Sequence, residues 1–199
     1  MSPTAHFIYF ALWVSFGVGH TLLACPKAKT ALNFLLGRTY RFSYNLFALL
    51  HIGLVIYGGR YLLGAQASHF ALSPEIVMAM QGSMLLGIIL FLIALSQYDI
   101  GRFVGLTQLF TPAQEDREEP LHLGGLHRFV RHPLYTGVYL YMWGAVHSEL
   151  DLATALYASL YLMIGSHFEE RKLIDLYGTA YSDYKKRVPA LIPWRGRAI

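Results

Sequence analysis

The chain has 199 residues, of which 55% are hydrophobic and 14% are charged. Soluble globular domains carry about 25% charged residues, so this composition excludes intrinsic disorder and disfavours an ordinary soluble enzyme. The single cysteine, Cys25, excludes a disulfide framework and zinc sites built from several cysteines. The net charge of +4 does not come from a basic run interleaved with aromatics, so nucleic acid is not an expected partner. These features predict an integral membrane protein.

Apolar segments predict where the chain crosses the membrane. A helix that crosses the roughly 30 Å hydrocarbon core needs about 20 mostly apolar residues, and three segments meet this requirement. Two shorter apolar segments follow, and the short turn between them predicts a helical hairpin whose polar ends leave the hydrocarbon on one side. The predicted fold is therefore all-α and polytopic, with about five transmembrane helices. The predicted spans are Phe7–Ala24, Phe42–Leu63, Ile76–Leu95, Leu134–Val146 and Leu152–Ser166.

The basic residues predict the orientation of these spans. All Lys and Arg residues except Arg60 lie in the first loop, the third loop or the C-terminal tail. Five spans place these three regions on the same side of the membrane. By the positive-inside rule that side is the cytoplasm. We therefore predict a protein of the cytoplasmic (inner) membrane, with its N-terminus outside and its C-terminus in the cytoplasm.

The chain divides into three predicted regions. An N-terminal region contains three spans and ends in a semi-polar segment that we expect at the membrane interface. A solvated acidic linker follows, and the last region contains the hairpin and the helices after it. These regions are residues 1–111, with the interfacial segment Gln97–Thr111, then 112–123 and 124–199.

Two helices are predicted after the hairpin. The first continues from Phe168 to about Tyr177 and stops at Gly178, because glycine commonly ends helices. The second is short and amphipathic, with its apolar residues on one face and its charged residues opposite. We expect this second helix to lie on the bilayer surface. The residues of its apolar face are Tyr181, Tyr184 and Val188.

A cluster of polar residues lies at the start of the predicted hairpin, within 124–137. Pro133 suits the first position of a helix, where its missing N–H is not needed. The free N–H groups at such a helix start are suited to binding an anion. His132, Tyr135 and Tyr139 follow at helical spacing and share one face of this helix.

Two acidic residues, Glu169 and Glu170, leave the last predicted span at a similar depth. Ionisable residues at membrane depth are costly unless they have partners or a function. Spacing alone leaves two interpretations open. A basic and aromatic half-site faces an acidic one, or else Arg128 and Arg131 reach lipid phosphates while the glutamates pair with the two basic residues that follow them.

Three motifs in the last third of the chain occur in a specific order. Together they cover about the last 75 residues and resemble the isoprenylcysteine carboxyl methyltransferase superfamily, which includes phospholipid N-methyltransferases. The motifs are Gly125–Tyr135 (GLHRFVRHPLY), Glu169-Glu170-x-x-Leu173, and Tyr177-Gly178-x-x-Tyr181-x-x-Tyr184-x-x-x-Val188-Pro189.

The first half of the chain carries a second, narrower resemblance. Its motifs are similar to those of the NnrU group of bacterial membrane proteins, and the membrane methanethiol S-methyltransferases are similar to that group. The motifs are Gly37-x-x-Tyr40-Arg41-x-x-Tyr44-Asn45 and Tyr98-Asp99-x-x-x-Phe103-x-Gly105-Leu106-x-Gln108.

These resemblances imply S-adenosylmethionine as the cofactor, held on the cytoplasmic side between the hairpin ends and the C-terminal helices. They imply no metal. For the reaction itself they indicate His132 as the base that accepts a thiol proton, Arg131 as a cation that favours the thiolate, and Glu169. The thiol must lose its proton because the neutral form is a poor nucleophile. The implied cofactor-binding residues are His127, Arg128, His132, Pro133, Tyr135, Tyr139, Glu169, Glu170 and Tyr181.

The expected function is methylation of a small hydrophobic thiol, with that acceptor and membrane lipids as partners. Nothing in the sequence indicates the oligomeric state. The alternatives are isoprenylcysteine carboxyl methylation, phospholipid amine methylation and NADPH chemistry like that of sterol reductases. A further alternative is an NnrU-like accessory protein of denitrification. Under that alternative the intramembrane His20 and His51 would ligate a haem.

Overall fold

The computed structural model describes residues 2–110 and 120–194. The predicted all-α fold class is confirmed, since the described chain is helical apart from turns and an isolated bridge between His69 and Ser148. Short 3-10 turns lie at Gly37–Thr39, Gly64–Gln66 and Gly125–Arg128. The α-helices are α1 (Pro3–Ala24), α2 (Pro26–Leu36), α3 (Tyr40–Leu63), α4 (Pro74–Leu95), α5 (Ile100–Val104), α6 (Leu106–Phe110), α7 (Pro133–Gly144), α8 (Glu149–Tyr177) and α9 (Thr179–Arg187).

Helix starts follow the capping residues in the sequence. Ser2 precedes α1, and its hydroxyl accepts a hydrogen bond from the Ala5 N–H at 3.3 Å. Ser148 precedes α8, where its Oγ accepts from the Asp151 N–H at 3.2 Å and donates to the Asp151 carboxylate at 2.7 Å. Proline is the first residue of α1, α4 and α7, where no N–H is needed.

Among the described residues, three helical stretches are long and apolar enough to cross a membrane. They are Pro3–Ala24, Lys27–Gln66 and Pro74–Leu95, and they contain the first three predicted spans. The helices of the predicted hairpin are less uniform. α7 has 12 residues, which at 1.5 Å per residue cover about 18 Å, and α8 has 29 residues but ends in a charged stretch. The count of five spans therefore stays a prediction.

Contacts divide the chain into two compact units. The N-terminal unit is Met1–Ser68 with Asp99–Glu118, and the C-terminal unit is His69–Tyr98 with Glu119–Ile199. α4 therefore belongs to the same unit as α7, α8 and α9, and it packs against α7. The three regions predicted from the sequence follow chain order and stay a prediction, and most of the predicted linker 112–123 lies outside the described residues.

In the N-terminal unit, α1 packs closely against α3. Gly59 lets the two helices approach, since a Cβ at this position would lie 2.6 Å from Cζ of Tyr9. The side-chain amide of Asn45 on α3 donates to the carbonyls of Phe103 and Val104, both at 3.0 Å. These hydrogen bonds hold α5, part of the segment predicted at the interface, against α3.

In the C-terminal unit, three glycines bring the backbones of α4 and α7 together. A Cβ at Gly87 would lie 2.5 Å from the Tyr141 nitrogen, and one at Gly144 would lie 2.5 Å from the Met80 carbonyl oxygen. A Cβ at Gly137 would lie 2.8 Å from the carbonyl oxygen of Gly87. A side-chain carbon does not fit at such distances, so this contact between the two helices requires glycine.

The short amphipathic helix predicted after Gly178 is α9, and its apolar face is buried within the protein. Gly178 ends α8 with φ of +58°, as predicted for a helix-ending glycine. The expectation that the apolar face of α9 lies on the bilayer is wrong, because the helix covers apolar side chains of α8 and of the segment before the hairpin. The cluster is Tyr181, Tyr184 and Val188, packed against Leu121, Leu123, Leu173, Ile174 and Tyr177.

Candidate active site

The candidate site forms where the loop before α7 meets the end of α8 and the residues around α9. The backbone N–H of Arg131 donates to the carbonyl of Pro189 at 2.9 Å, and that of His132 donates to Ala190 at 3.0 Å. These two hydrogen bonds align the chain after α9 with the loop. The motif residues of three separate segments are thereby brought together within one compact unit.

Glu170 lies at the centre of this site, with 7% of its side chain exposed. Its Oε1 accepts hydrogen bonds from Nε of Arg131 at 2.7 Å and Nε2 of His132 at 3.0 Å, and its Oε2 lies 2.8 Å from Nζ of Lys185. Burial alone raises the pKa of this carboxyl, but the three donors outweigh burial and lower the pKa to about 2. Glu170 is therefore a buried carboxylate at neutral pH.

The Arg131 guanidinium is bound on several sides by the protein itself. In addition to the hydrogen bond from Nε to Glu170, Nη2 lies 2.6 Å from the same carboxylate. Its Nη1 donates to the carbonyl of Lys185 at 3.2 Å and also to that of Val188. The side chain is 10% exposed, so little of its charge is available to a second anion. This geometry makes Arg131 the link between the loop, α8 and the end of α9.

The hydrogen bonds of His132 determine which ring nitrogen carries a proton. An ionised carboxylate only accepts, so Nε2 must carry the hydrogen in its bond to Glu170. In the neutral ring the lone pair is then on Nδ1, which lies 3.6 Å from Oε2 of Glu169. The ring also stacks on Tyr135, with centroids 5.2 Å apart and planes inclined by 11°.

Glu169 differs from its neighbour because it faces outward. Its side chain is 48% exposed, and its Oε2 accepts a hydrogen bond from the Tyr135 hydroxyl at 2.9 Å. The two glutamates thus have different roles. The carboxylate of Glu170 is paired with cations inside the protein, whereas the carboxylate of Glu169 is accessible. An accessible carboxylate beside stacked rings is suited to an ammonium group or to sugar hydroxyls.

Tyr181 places an unsatisfied hydroxyl within the same unit. The residue is 2% exposed, and its hydroxyl has no hydrogen-bond partner within the described chain. Burial and the nearby Glu170 carboxylate raise the pKa of the phenol, so it remains a protonated donor. A buried donor without a partner is costly unless water or a ligand satisfies it. This hydroxyl therefore fits a site that binds a polar ligand.

His127 is held in place by two tyrosines. Its Nε2 lies 3.2 Å from the Tyr98 hydroxyl, and its carbonyl accepts from the Tyr184 hydroxyl at 2.7 Å. Burial, reinforced by the nearby His122 and His132 rings, lowers the pKa of His127 to about 4. His127 is therefore a neutral, structurally bound ring at physiological pH.

The other residues implied by the resemblance have varied surroundings. Tyr139 donates to the Ser159 carbonyl at 2.8 Å, so its hydroxyl links α7 to α8. Pro133 is buried at the first position of α7. Arg128 is exposed, and within residues 2–110 and 120–194 its side chain has no hydrogen bond or ion pair. Arg128 is thus a cation that remains available to a ligand.

The structure adds residues that the sequence did not indicate. Lys185 contacts Glu170, although its place on the charged face of an amphipathic helix is typical of a solvated lysine. Tyr98 contacts His127, and Gln97 accepts a hydrogen bond from the Leu126 N–H at 3.2 Å. Tyr98 belongs to a motif of the first half of the chain, which was the available signal for it.

The two intramembrane histidines are engaged with hydroxyl groups in the N-terminal unit. Nε2 of His20 lies 2.6 Å from the Tyr44 hydroxyl, and Nε2 of His51 lies 3.1 Å from Oγ of Ser15. A ring nitrogen must offer a free lone pair to ligate haem iron. These hydrogen bonds occupy Nε2 of both rings and so do not favour haem ligation through that atom, whereas Nδ1 of His51 is buried without a hydrogen-bond partner among the described residues.

The chain is similar to one protein family over most of its length and to several methyltransferases over part of it. The NnrU protein family matches residues 8–168. Methanethiol S-methyltransferase 1 of Bradyrhizobium diazoefficiens is 46% identical over 71 residues, which cover 35% of this chain and 25% of that protein. Methanethiol S-methyltransferase of Crocosphaera subtropica is 31% identical over 96 residues, which cover 47% of this chain and 38% of that protein. The Mycobacterium tuberculosis protein of the same name is 36% identical over 73 residues, 36% of this chain and 30% of its own length.

The chain thus matches between a quarter and two fifths of the length of these curated relatives. No solved structure matches it. The family match is broader, since it runs from the first membrane helix to the charged end of α8. Because that match covers most of its length, the chain belongs to the NnrU family.

Proposed function

We propose that this protein is an integral membrane methyltransferase that uses S-adenosylmethionine to methylate a small hydrophobic thiol. The observation that carries the proposal is the buried ion pair of Arg131 and Glu170, which holds His132 beside the accessible pair of Glu169 and Tyr135. The names of the relatives support the same reaction class, since each is a methanethiol S-methyltransferase.

The side chains present fit the proposed cofactor. When bound, S-adenosylmethionine supplies a methyl group made electrophilic by a sulfonium. The accessible Glu169 suits its ammonium group or ribose hydroxyls, and the exposed Arg128, whose side chain has no partner within 2–110 and 120–194, suits its carboxylate. The unsatisfied hydroxyl of Tyr181 suits a further polar atom. The stacked rings of His132 and Tyr135 present an aromatic face of the kind that attracts a sulfonium.

His132 supplies the proton acceptor for the thiol. Its Nδ1 takes the proton of the acceptor thiol, because only the thiolate is a good nucleophile. The bond from Nε2 to Glu170 fixes the ring orientation and stabilises the ring once it is protonated. Arg131, which the sequence indicated as a cation next to the thiolate, instead binds Glu170, so we assign it a positioning role.

We also propose that α7 and the first part of α8 complete a five-span topology in the inner membrane, with the N-terminus outside. Contacts at both ends of α4 support this. Near its C-terminal end Gln97 binds the Leu126 N–H, and before its N-terminus the Phe70 N–H donates to the His147 carbonyl at 3.0 Å. The chain from 126 to 147 therefore runs the whole length of α4, although α7 itself is short.

Calorimetric titration with S-adenosylhomocysteine tests the cofactor, with NADPH as a parallel ligand. We expect detergent-purified protein to bind S-adenosylhomocysteine saturably. Glu169→Gln should weaken that binding at least tenfold, and Arg171→Gln, which changes an exposed charge two residues away on α8, should not. Binding of NADPH instead, or of neither ligand, would refute the proposal.

The base is tested by the pH dependence of methyl transfer to methanethiol, followed as dimethyl sulfide in the headspace. His132→Gln should lower kcat by about 10²–10⁴-fold at neutral pH. The deficit should shrink above the pKa of the thiol, because the acceptor is then ionised without help. A deficit that is the same at every pH would show that His132 does not take the thiol proton.

A further inference from the structure

Four cations lie close together in the sequence between the end of α1 and the first turn of α3. Lys27 and Lys29 are on α2, and Arg38 and Arg41 flank the start of α3. All four are exposed, and no side-chain ion pair or hydrogen bond forms to them in the part of the chain that the structure describes. We call these four residues the basic surface.

Among the described residues of the N-terminal unit, only Asp99 could supply a negative charge to the basic surface, and the acidic residues within 112–118 lie outside the described chain. The first acidic residue of the chain is Glu75, at the start of α4. Asp99 already has a partner in Arg102, since its Oδ2 lies 3.9 Å from Nε of that residue. Its Oδ1 also caps α5 by accepting a hydrogen bond from the Arg102 backbone N–H at 3.0 Å. A group of exposed cations with no carboxylate paired to it in the described part of the chain attracts an anion from outside the protein.

α2 also exposes apolar side chains beside these cations. Phe34 is 92% exposed and Leu35 is 75% exposed. The helix begins at Pro26, directly after the end of the membrane-crossing α1, so these side chains lie near a membrane boundary. Lysines and exposed apolar residues on one short helix at that depth are typical of a helix in the lipid interface.

We propose that the basic surface binds the phosphate groups of anionic phospholipids, with Phe34 and Leu35 inserted at the boundary of the acyl chains. The apolar side chains decide between a lipid and a free phosphate, because a free phosphate leaves them exposed. Each cation near an anionic bilayer surface strengthens binding about fivefold. The basic surface is thus a specific lipid contact that anchors the N-terminal unit at the cytoplasmic leaflet.

Lipid retention tests this proposal. The protein is released from nanodiscs that contain equal parts of phosphatidylglycerol and phosphatidylcholine, and the retained lipids are counted by native mass spectrometry. We expect phosphatidylglycerol to be enriched, and Arg38→Gln to reduce the enrichment about fivefold. The matched control is Arg60→Gln, which removes the same charge near the other end of α3, about 30 Å from the start of that helix.

Further arms separate the outcomes. Inorganic phosphate at millimolar concentration should not displace the lipid, whereas a rise in salt should lower the enrichment in the unmodified protein. Retention of both lipids in their mixing ratio would overturn the proposal. An equal loss for Arg60→Gln and Arg38→Gln would also overturn it, since net charge would then explain the effect. The salt dependence needs no variant, so misfolding of Arg38→Gln would leave the proposal testable.

Discussion

Glu170 combines two opposing influences on one carboxyl group. Burial favours the neutral acid, yet donors from Arg131, His132 and Lys185 hold it ionised. Such a buried ion pair stabilises the fold only while both partners are present. Removal of one partner leaves the other charge without compensation in a poorly solvated place.

We therefore expect Glu170→Gln to lower the free energy of unfolding by about 3–5 kcal/mol, because Arg131 would remain buried without its counter-ion. Lys185→Gln removes a partner that is 39% exposed, and its cost should stay within about 1 kcal/mol. Chemical denaturation in mixed micelles measures both variants. Equal costs would show that the pair of Arg131 and Glu170 is not the dominant contact.

Acidification should destabilise the C-terminal unit in two stages. The pKa of His127 is lowered from 6.5 to about 4, so below pH 6.5 the unfolded state takes up a proton that the folded state does not, and stability falls. The pKa of Glu170 is lowered from 4.5 to about 2, so its contribution is lost between these values. Thermal unfolding midpoints measured against pH should show both stages. His127→Gln should remove only the first, and an unchanged profile in that variant would contradict this assignment.

The sequence indicated most of this cluster but not the partners within it. The motifs marked Arg131, His132 and both glutamates as neighbours in a fold of the resembling family. Adjacent residues on a helix point about 100° apart, so the two glutamates were expected to have different surroundings, but spacing alone did not show which one is buried. Which glutamate is buried depends on where the loop before α7 and Lys185 of α9 lie. The buried glutamate is the one that pairs with Arg131 and Lys185. The assignment of these residues to a cofactor stays a proposal.

At the level of elements, the contact between α4 and α7 depends on small residues. We expect Gly87→Leu to cost about 1–3 kcal/mol or more, because the added side chain meets the backbone of α7. Gly82→Leu on the same helix is the matched control, since nothing lies within 4 Å of a Cβ there, and its effect should stay within about 0.5 kcal/mol. Thermal unfolding in detergent compares the two. Similar losses would mean that close packing against α7 does not explain them, since helix propensity favours leucine over glycine at both positions.

These elements also show where sequence patterns stop being informative. Apolar runs identified the helices that contain the first three predicted spans, because length and composition alone determine whether a helix can cross a membrane. The amphipathic pattern of α9 correctly indicated a buried face, but it did not reveal whether lipid or protein covers that face. Gly82 and Gly87 are equivalent in the sequence, and only the position of α7 distinguishes them.

For the molecule as a whole, the charge distribution and the path of the chain both bear on whether the hairpin of α7 and α8 crosses the membrane. The basic residues near the start of α3, before α7 and from the end of α8 onward share the cytoplasmic side whether the hairpin crosses the membrane and returns or re-enters from that side, so charge alone does not decide between the two. The contacts at both ends of α4 favour a hairpin that crosses. A re-entrant hairpin would leave the start of α8 on the same side as α9, so these two positions distinguish the topologies.

Cysteine labelling in intact cells tests the topology, with Cys25→Ser as the background. We expect an impermeant maleimide to label Ala65→Cys, in the connection between α3 and α4, and Glu149→Cys, at the start of α8. Lys186→Cys on α9, where the lysine is 75% exposed, should be labelled only after the cells are permeabilised. If Glu149→Cys behaves like Lys186→Cys, the hairpin does not cross the membrane. The five-span topology would then be wrong.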